Sequence, residues 1–179
     1  GGEDQEAIAQ RQHRAVIEGA EAAGVAHVAY TSILRADTST MLAATEHLAT
    51  ERLLAASRLV TTRLRHGWYI ENYTEQLAPV LANGGFLGAA GTGRIAAATR
   101  ADYAAADAAV LAAPARRGGT YEIAGHPYTM AELAATVSPA LGRELPYFDV
   151  PADQLSAALL GAGLPEPLVE FLVDAALGI

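Results

Sequence analysis

The sequence has 179 residues, of which 51% are hydrophobic and 18% are charged, and it contains no cysteine. This composition is typical of a packed globular chain and excludes a disordered protein, a disulfide scaffold and a cysteine-based metal site. The formal net charge of −8 argues against a nucleic-acid partner, and no apolar run approaches the roughly 20 residues that cross a bilayer. Because the N-terminus has no signal-peptide layout, we expect a cytoplasmic protein without membrane insertion.

Two absences narrow the chemistry further. All 12 basic residues are arginine, so the chain has no Schiff-base lysine, no P-loop lysine and no Tyr-x-x-x-Lys pair of the kind found in short-chain dehydrogenases. The sequence opens on Gly1 and Gly2 rather than on methionine. We therefore interpret it as a fragment of a longer protein.

Helical and strand-like patterns alternate along the chain. Helices are predicted at 7–23, 41–57, 71–82, 101–113 and about 129–141, and two short ones around 161–167. Pro79 is expected to interrupt or end the helix at 71–82. Strands are predicted at 25–31, 59–64, 120–123 and 145–150. The helix at 129 should open with a capping box formed by Thr129 and Glu132. This alternation favours an α/β fold with a parallel sheet and right-handed crossovers.

The first candidate site follows the strand at 25–31, since parallel sheets bind ligands beyond the carboxyl ends of their strands. Thr31 and Ser32 lie there and carry hydroxyls that suit a ribose or a carbonyl. The residues alone leave open the alternative that both simply terminate a strand.

The second candidate site is the loop 65–73, which is the richest polar and aromatic stretch of the chain. Trp68 follows Gly67, which permits close approach of the backbone to a ligand. Aromatic rings there suit stacking on a planar ring, and Asn72 suits a carboxamide. Taken alone, however, the residues favour the alternative that Trp68 and Tyr73 anchor the start of a helix in the core.

The histidines do not show the spacing of a metal site, and no carboxylate partner is evident for them from the sequence. His47 and Glu51 lie one helical turn apart, and such a pair could hold a histidine near neutral pKa for proton donation. A solvated pair on the helix surface is the more common outcome. The stretch 88–93 superficially resembles a dinucleotide-binding turn, but it follows no long apolar strand, and we interpret it as a turn between short strands.

Four stretches together resemble a known family: AAGVAHVAYTSILRADTS, ATEHLATERLLAAS, TRLRHGWYIENY and GAAGTGRIAAATRADYAAA. They are similar to the NmrA-like atypical short-chain dehydrogenases, and within that family to the bacterial type-2 NAD(P)H:quinone oxidoreductases. The resemblance runs from about Gln12 to about Leu172. It implies the C-terminal portion of a Rossmann-type doubly wound parallel sheet with a smaller α/β substrate lobe.

The resemblance also implies a domain division and a function. Residues 1–82 would be the second half of the NAD(P)-binding domain, and 83–179 would combine returning Rossmann elements with the substrate lobe. The implied reaction is hydride transfer from NADPH or NADH to a quinone, without flavin or metal, and a homodimer stays open. A non-catalytic NAD(P)-sensing regulator is the alternative.

The family's functional residues carry over to this sequence by position. The implied cofactor-binding residues are Tyr30, Thr31, Ser32, His66, Gly67, Trp68 and Asn72, and the implied catalytic residues are His47 and Tyr69. In this alignment His47 and Glu51 occupy the places of the tyrosine and lysine of ordinary short-chain dehydrogenases. Proton delivery would then come from solvent or from a side chain such as His47.

Two departures from the family pattern matter. The glycine-rich turn that holds the pyrophosphate in these proteins is not found in the 179 residues, so we expect the chain by itself to bind NADPH poorly. Loss of the strands that accompany that turn would also leave the strand at 25–31 as an exposed edge. In addition, His66 stands where the quinone reductases carry asparagine, which puts the detailed pocket geometry in doubt.

Overall fold

Helices and parallel strands alternate in the computed structural model, which describes the backbone of residues 2–178 and the side chains of residues 7–178. The elements, in chain order, are α1 (Gly2–Ala22), β1 (His27–Ile33), α2 (Leu42–Ala56), β2 (Val60–His66), α3 (Glu71–Thr74), α4 (Leu77–Asn83), β3 (Phe86–Gly88), α5 (Arg100–Leu111), β4 (Thr120–Ile123), α6 (Met130–Val137), β5 (Tyr147–Asp149), α7 (Ala152–Gly161) and α8 (Glu166–Leu177). Short 3₁₀ turns lie at Pro114–Arg116 and Ser138–Leu141. The α/β fold class is therefore confirmed, with parallel strands as expected.

The chain divides into two compact units. The first comprises Gly1–Gly67 and Ala101–Ala124, and the second comprises Trp68–Arg100 and Gly125–Ile179. This division falls after Gly67, whereas the predicted domains meet at residue 82. The functional assignment of the two predicted domains stays a prediction.

The first unit is a three-stranded parallel sheet in the order β1-β2-β4, with α1 packed against α2. The helix α1 ends because Gly24 adopts a left-handed conformation, with a φ of 68°, and the chain turns directly into β1. The strand β1 lies at one edge of this sheet within the described residues. The sheet thus places the carboxyl ends of β1, β2 and β4 side by side.

The second unit is built around an apolar cluster. The strands β3 and β5 pair in parallel, and the helix α6 begins with the predicted capping box, in which Thr129 and Glu132 satisfy each other's backbone N–H groups. The buried members of the cluster are Phe86, Ile95, Ala97, Met130, Leu133, Ala134 and Leu145. Within residues 2–178, no helix is both long enough and apolar enough to cross a membrane.

Some predicted boundaries are wrong, and the differences affect the site. The helix predicted at 71–82 is two helices, and the break falls before Leu77 rather than at Pro79. Pro79 is tolerated in the first turn of α4 because the N–H it lacks has no partner there. The strands β1 and β2 extend to Ile33 and His66, two residues beyond their predicted ends. Residues expected in loops therefore lie within strands.

Candidate functional site

The carboxyl ends of the parallel strands in the first unit bring three polar side chains into one row. Ser32 of β1 is in register with Arg65 of β2, and Arg65 is in register with Glu122 of β4. Side chains two residues apart on a strand share a face, so Tyr30 lies on the same face of the sheet as Ser32. The helix α2 contacts both β1 and β2 and contributes side chains to this row.

A buried ion pair joins α2 to the sheet. Arg65 donates from Nε to Glu51 Oε1 at 2.9 Å and from Nη2 to Glu51 Oε2 at 2.8 Å, so the contact is bidentate. The two residues are only 7% and 4% exposed, respectively. Ser32 donates its hydroxyl proton to Glu51 Oε1 at 2.6 Å. The Ser32 hydroxyl is therefore held by Glu51.

The same guanidinium also binds two further carboxylates. Arg65 Nη1 lies 3.1 Å from Asp37 Oδ1 and 2.8 Å from Glu122 Oε1. The hydrogen bond to Glu51 is the main reason why the pKa of Arg65 is raised. Burial works to raise the pKa of Glu51, but the hydrogen bonds from Arg65 and Ser32 outweigh it and lower that pKa. One buried cation thus faces three carboxylates.

His47 pairs with Tyr30 rather than with Glu51. Its Nδ1 lies 2.8 Å from the Tyr30 hydroxyl oxygen. Burial lowers the pKa of His47, although the nearby charges of Glu46 and Glu51 partly oppose this effect. Burial also raises the pKa of Tyr30. At neutral pH both groups are therefore uncharged.

These contacts correct the interpretation of His47 and Glu51. The two residues do not form a hydrogen-bonded histidine–carboxylate pair, because Arg65 and Ser32 bind the Glu51 carboxylate, and burial lowers the pKa of His47. They are not a solvated surface pair either, because Glu51 is buried. Sequence spacing could not decide how His47 and Glu51 interact. It shows which residues share a face of α2 but not which strand that face covers.

Thr31 and Ser32 have different surroundings. They do not terminate β1, which continues to Ile33. Ser32 is buried, whereas Thr31 is exposed. Thr31 is consequently the more accessible residue of the two.

His66 has a carboxylate partner that the sequence did not reveal. At the end of β2, its Nε2 lies 2.9 Å from Asp107 Oδ1 of α5, and its ring stacks on Tyr103 with centroids 4.5 Å apart. The next residue, Gly67, donates its N–H to the Ile123 carbonyl at 3.0 Å. Asp107 lies 41 residues from His66 in sequence, so only the folded sheet and helix bring the pair together.

Trp68, Tyr69 and Asn72 belong to the second unit. Trp68 packs against the apolar cluster of that unit and stacks on Phe171 with ring centroids 6.5 Å apart. The guanidinium carbon of Arg100 lies 5.4 Å from the centroid of the Tyr69 ring, a cation–π contact. Arg100 Nη2 also lies 3.5 Å from Asn72 Oδ1, at the limit of hydrogen-bonding distance.

Tyr73 packs against the same apolar cluster, and burial raises its pKa. The alternative that Trp68 and Tyr73 anchor a helix start in the core therefore describes the packing of Tyr73 well and that of Trp68 in part. Among the described residues, no group of three or more His, Cys, Asp or Glu side chains could hold a metal ion.

Arg65 is the central residue that the sequence reasoning missed. A signal for it was present, because β2 reads VTTRLRH and an arginine inside a strand of a parallel sheet must be paired or hydrogen-bonded. The strand was predicted to end at residue 64, which placed Arg65 in a loop and hid that signal.

Comparison with known proteins agrees with this architecture. No protein-family model matches the chain. It is 47% identical over 168 residues to quinone oxidoreductase 2 of Escherichia coli strain K12, a match that covers 93% of this chain and 59% of that protein. It is 27% identical over 158 residues to NAD(P)H azoreductase of Xenophilus azovorans, covering 87% of this chain and 55% of that protein.

Solved structures are similar as well. An NADPH complex of the Escherichia coli NADPH-dependent quinone oxidoreductase superimposes with a TM-score of 0.90 at 47% identity, covering 93% of this chain and 59% of that one. The NADP(H) complex of Citrobacter triphenylmethane reductase gives a TM-score of 0.89 at 30% identity, covering 97% and 62%. Over nearly its whole length the chain is therefore similar to NAD(P)-dependent reductases. It spans less than two thirds of the length of each of these relatives.

Proposed function

We propose that this NmrA-like chain forms the nicotinamide- and substrate-binding part of an NAD(P)H-dependent quinone reductase. The observation that carries the proposal is its 47% identity to a quinone oxidoreductase over 93% of its length. The polar row at the carboxyl ends of β1, β2 and β4 adds physical support, since ligands of open parallel sheets bind beyond those ends.

The charges at this edge fit the nicotinamide end of the cofactor better than its phosphates. The guanidinium of Arg65 is already matched by Glu51, Asp37 and Glu122, so it has no positive charge to spare for a pyrophosphate. Uncharged hydroxyls such as those of Tyr30 and Thr31 suit a ribose and a carboxamide. The pyrophosphate would be held by a glycine-rich turn at a helix N-terminus, as is usual for dinucleotides.

Each predicted residue has a role in the proposal. Bound NADPH or NADH supplies a hydride to the quinone. The residues proposed to bind the cofactor are Tyr30, Thr31, Ser32, His66, Gly67, Trp68 and Asn72. Tyr69 lies against the quinone, and His47 provides a proton to a quinone oxygen. The hydrogen bond between Tyr30 and His47 supports this role, because it fixes the orientation of the His47 ring.

Two wider expectations belong to the same proposal. A cytoplasmic location fits the proposed reaction, because the cytoplasm supplies NADPH and NADH. A homodimer is supported only by the apolar side chains that α1 exposes at Ile8 and Val16. Sedimentation analysis over a range of concentrations tests it, and a monomer throughout would remove the homodimer from the proposal.

The activity is tested with a polypeptide in which this chain follows a glycine-rich cofactor turn, alongside the chain by itself. We expect the longer polypeptide to oxidise NADPH when benzoquinone is added, and to do so without added flavin or metal. NADPH binding without any oxidation would instead support the regulatory alternative, in which the cofactor is sensed rather than consumed.

The chain by itself should bind NADPH poorly, because the residues proposed here contact only one end of the cofactor. A fluorescence titration with NADPH measures this directly. Tight binding by the 179 residues would contradict the division of the cofactor site proposed here.

A further inference from the structure

Four side chains of the first unit are connected by hydrogen bonds in a row that the roles above do not fully use. His13 Nδ1 of α1 lies 2.7 Å from the Thr50 hydroxyl oxygen, and the Tyr30 hydroxyl lies 2.8 Å from His47 Nδ1. The Thr50 hydroxyl also acts on Tyr30, because it lowers the pKa of Tyr30 against the effect of burial. The four side chains therefore form a row from α1 through α2 and β1 to His47, in which Thr50 is next to Tyr30.

Every member of this row can both accept and release a proton. Imidazole rings and hydroxyls carry a donor and an acceptor on the same group, and a series of them can pass a proton along. The Thr50 hydroxyl also lies 3.1 Å from the Glu46 carbonyl oxygen and can donate to only one acceptor at a time. Rotation of that hydroxyl would switch its donation from Glu46 to Tyr30.

The state of His47 makes such a row useful. Burial lowers its pKa against the opposing charges of Glu46 and Glu51, while His13 adds to the lowering, so the ring is neutral at neutral pH. A neutral imidazole that releases the proton on Nε2 would become an anion. It avoids this only if Nδ1 receives a proton at the same time, and Tyr30 is the group in contact with Nδ1.

We propose that His13, Thr50 and Tyr30 form a proton relay that reprotonates His47 from solvent during quinone reduction, an inference that rests on the proposed function. Reduction of a quinone to a hydroquinone consumes one hydride and one proton. His47 releases the proton on Nε2 to a quinone oxygen and gains one on Nδ1 from Tyr30. Tyr30 regains its proton from Thr50, Thr50 from His13 Nδ1, and His13 from solvent. His13 and Thr50 are positioning residues, because neither is proposed to touch the cofactor or the quinone.

The kinetic test uses the polypeptide in which this chain follows a glycine-rich cofactor turn. Thr50→Val removes the hydroxyl at nearly constant volume, and we expect about a tenfold lower kcat with unchanged KM for NADPH and quinone. Thr50→Ser restores the hydroxyl and should restore kcat. The wild-type rate is also measured in mixtures of H₂O and D₂O and plotted against the deuterium fraction. This plot should be curved, because several protons move in the same step. Thr50→Val should give a straight line.

Thr62→Val is the matched control. Thr62 is 0% exposed and Thr50 2%, and the Thr62 hydroxyl also bonds a histidine, His27, at 2.8 Å. The control loses a buried threonine–histidine contact outside the row, so its kcat and isotope dependence should match those of the wild type. Equal kcat and equal isotope dependence for Thr50→Val and Thr62→Val would overturn the relay and leave the row with a structural role only.

A second measurement does not need activity. Nitrogen-15 NMR of the 179-residue chain reports which ring nitrogen of neutral His47 carries the proton. The relay requires that Nδ1 accepts from Tyr30, so the proton should be on Nε2. A proton found on Nδ1 would overturn the relay even in an active enzyme. Absence of quinone reduction in the longer polypeptide would refute the proposed function instead, and the NMR result would still decide the direction of the hydrogen bond.

Discussion

The two compact units bury different kinds of side chain. Among the described side chains, the buried polar and charged residues all lie in the first unit: Ser32, Thr50, Glu51, Thr61, Thr62, Arg65 and His66. The clustered apolar core, from Phe86 to Leu145, lies in the second unit. The first unit therefore combines apolar packing with buried hydrogen bonds and ion pairs, whereas the buried side chains of the second unit are apolar.

The buried polar side chains of the first unit fit the roles proposed for its residues. Directional bonds hold hydroxyls and imidazoles at defined angles, which proton transfer and ligand recognition require. Apolar packing supplies stability but carries no chemistry. The comparison predicts that the two units respond to different substitutions, and the predictions below run from the largest expected effect to the smallest.

Arg65→Met should cause the largest loss of stability. The substitution leaves Glu51 buried without its cation and removes the charge that Asp37 and Glu122 share, so we expect a loss of about 3–5 kcal/mol. Urea unfolding followed by the histidine NMR signals of the first unit measures it. Arg58→Met is the matched control, because the Arg58 side chain is exposed, its contact with Glu21 is long at 3.8 Å, and the backbone hydrogen bond of Arg58 is kept. Similar midpoints for the two variants would contradict a structural role for the buried pair.

Leu145→Ala tests how much the apolar cluster stabilises the second unit. Leu145 is 2% exposed in the apolar cluster, and we expect a loss of about 2–5 kcal/mol from lost burial and the resulting cavity. The fluorescence of Trp68, which packs against this cluster, reports the unfolding. Leu87→Ala is the control, since Leu87 is 43% exposed on the neighbouring strand β3. An equal loss at both positions would show that the cluster is not the core of the second unit.

Thr129→Ala tests the capping hydrogen bond at the start of α6, in the second unit. The Thr129 side chain accepts from the Glu132 N–H at 3.1 Å, and we expect its removal to cost about 1 kcal/mol. Thr136→Ala makes the same change within α6, where alanine has the better helix propensity, and should cost nothing. Urea unfolding measures both variants. A loss for Thr129→Ala as large as that for Arg65→Met would contradict the contrast between the units.

The smallest expected effect is the loss of folding stability at acidic pH. The pKa of Glu51 in the folded chain lies below its ordinary value of 4.5, since the hydrogen bonds from Arg65 and Ser32 outweigh burial. Its contribution to stability is therefore complete above pH 4.5 and is lost as the pH falls through the folded pKa. Glu51→Gln should flatten this part of the stability–pH curve. An unchanged slope in that variant would assign the acid sensitivity to other groups.

Local sequence signals predicted the elements well and the site only in part. The helix α2 was predicted at 41–57 and is found at Leu42–Ala56, and the capping box at Thr129 is confirmed. Both depend on neighbours within a few residues. The Glu51–Arg65 pair depends on how α2 covers β2, and the His66–Asp107 pair joins residues 41 apart, so neither could be found from local spacing.

The central claim is that residues of this chain deliver the proton that a quinone takes up together with the hydride when it is reduced to a hydroquinone. Stopped-flow mixing of benzoquinone with the NADPH-loaded polypeptide, in which the chain follows a glycine-rich turn, tests it for the wild type and for His47→Gln. We predict rapid loss of the reduced nicotinamide absorbance in the wild type and a loss about a hundredfold slower in the variant. Bound NADPH that is not oxidised by benzoquinone, or equal rates in the two proteins, would contradict the account.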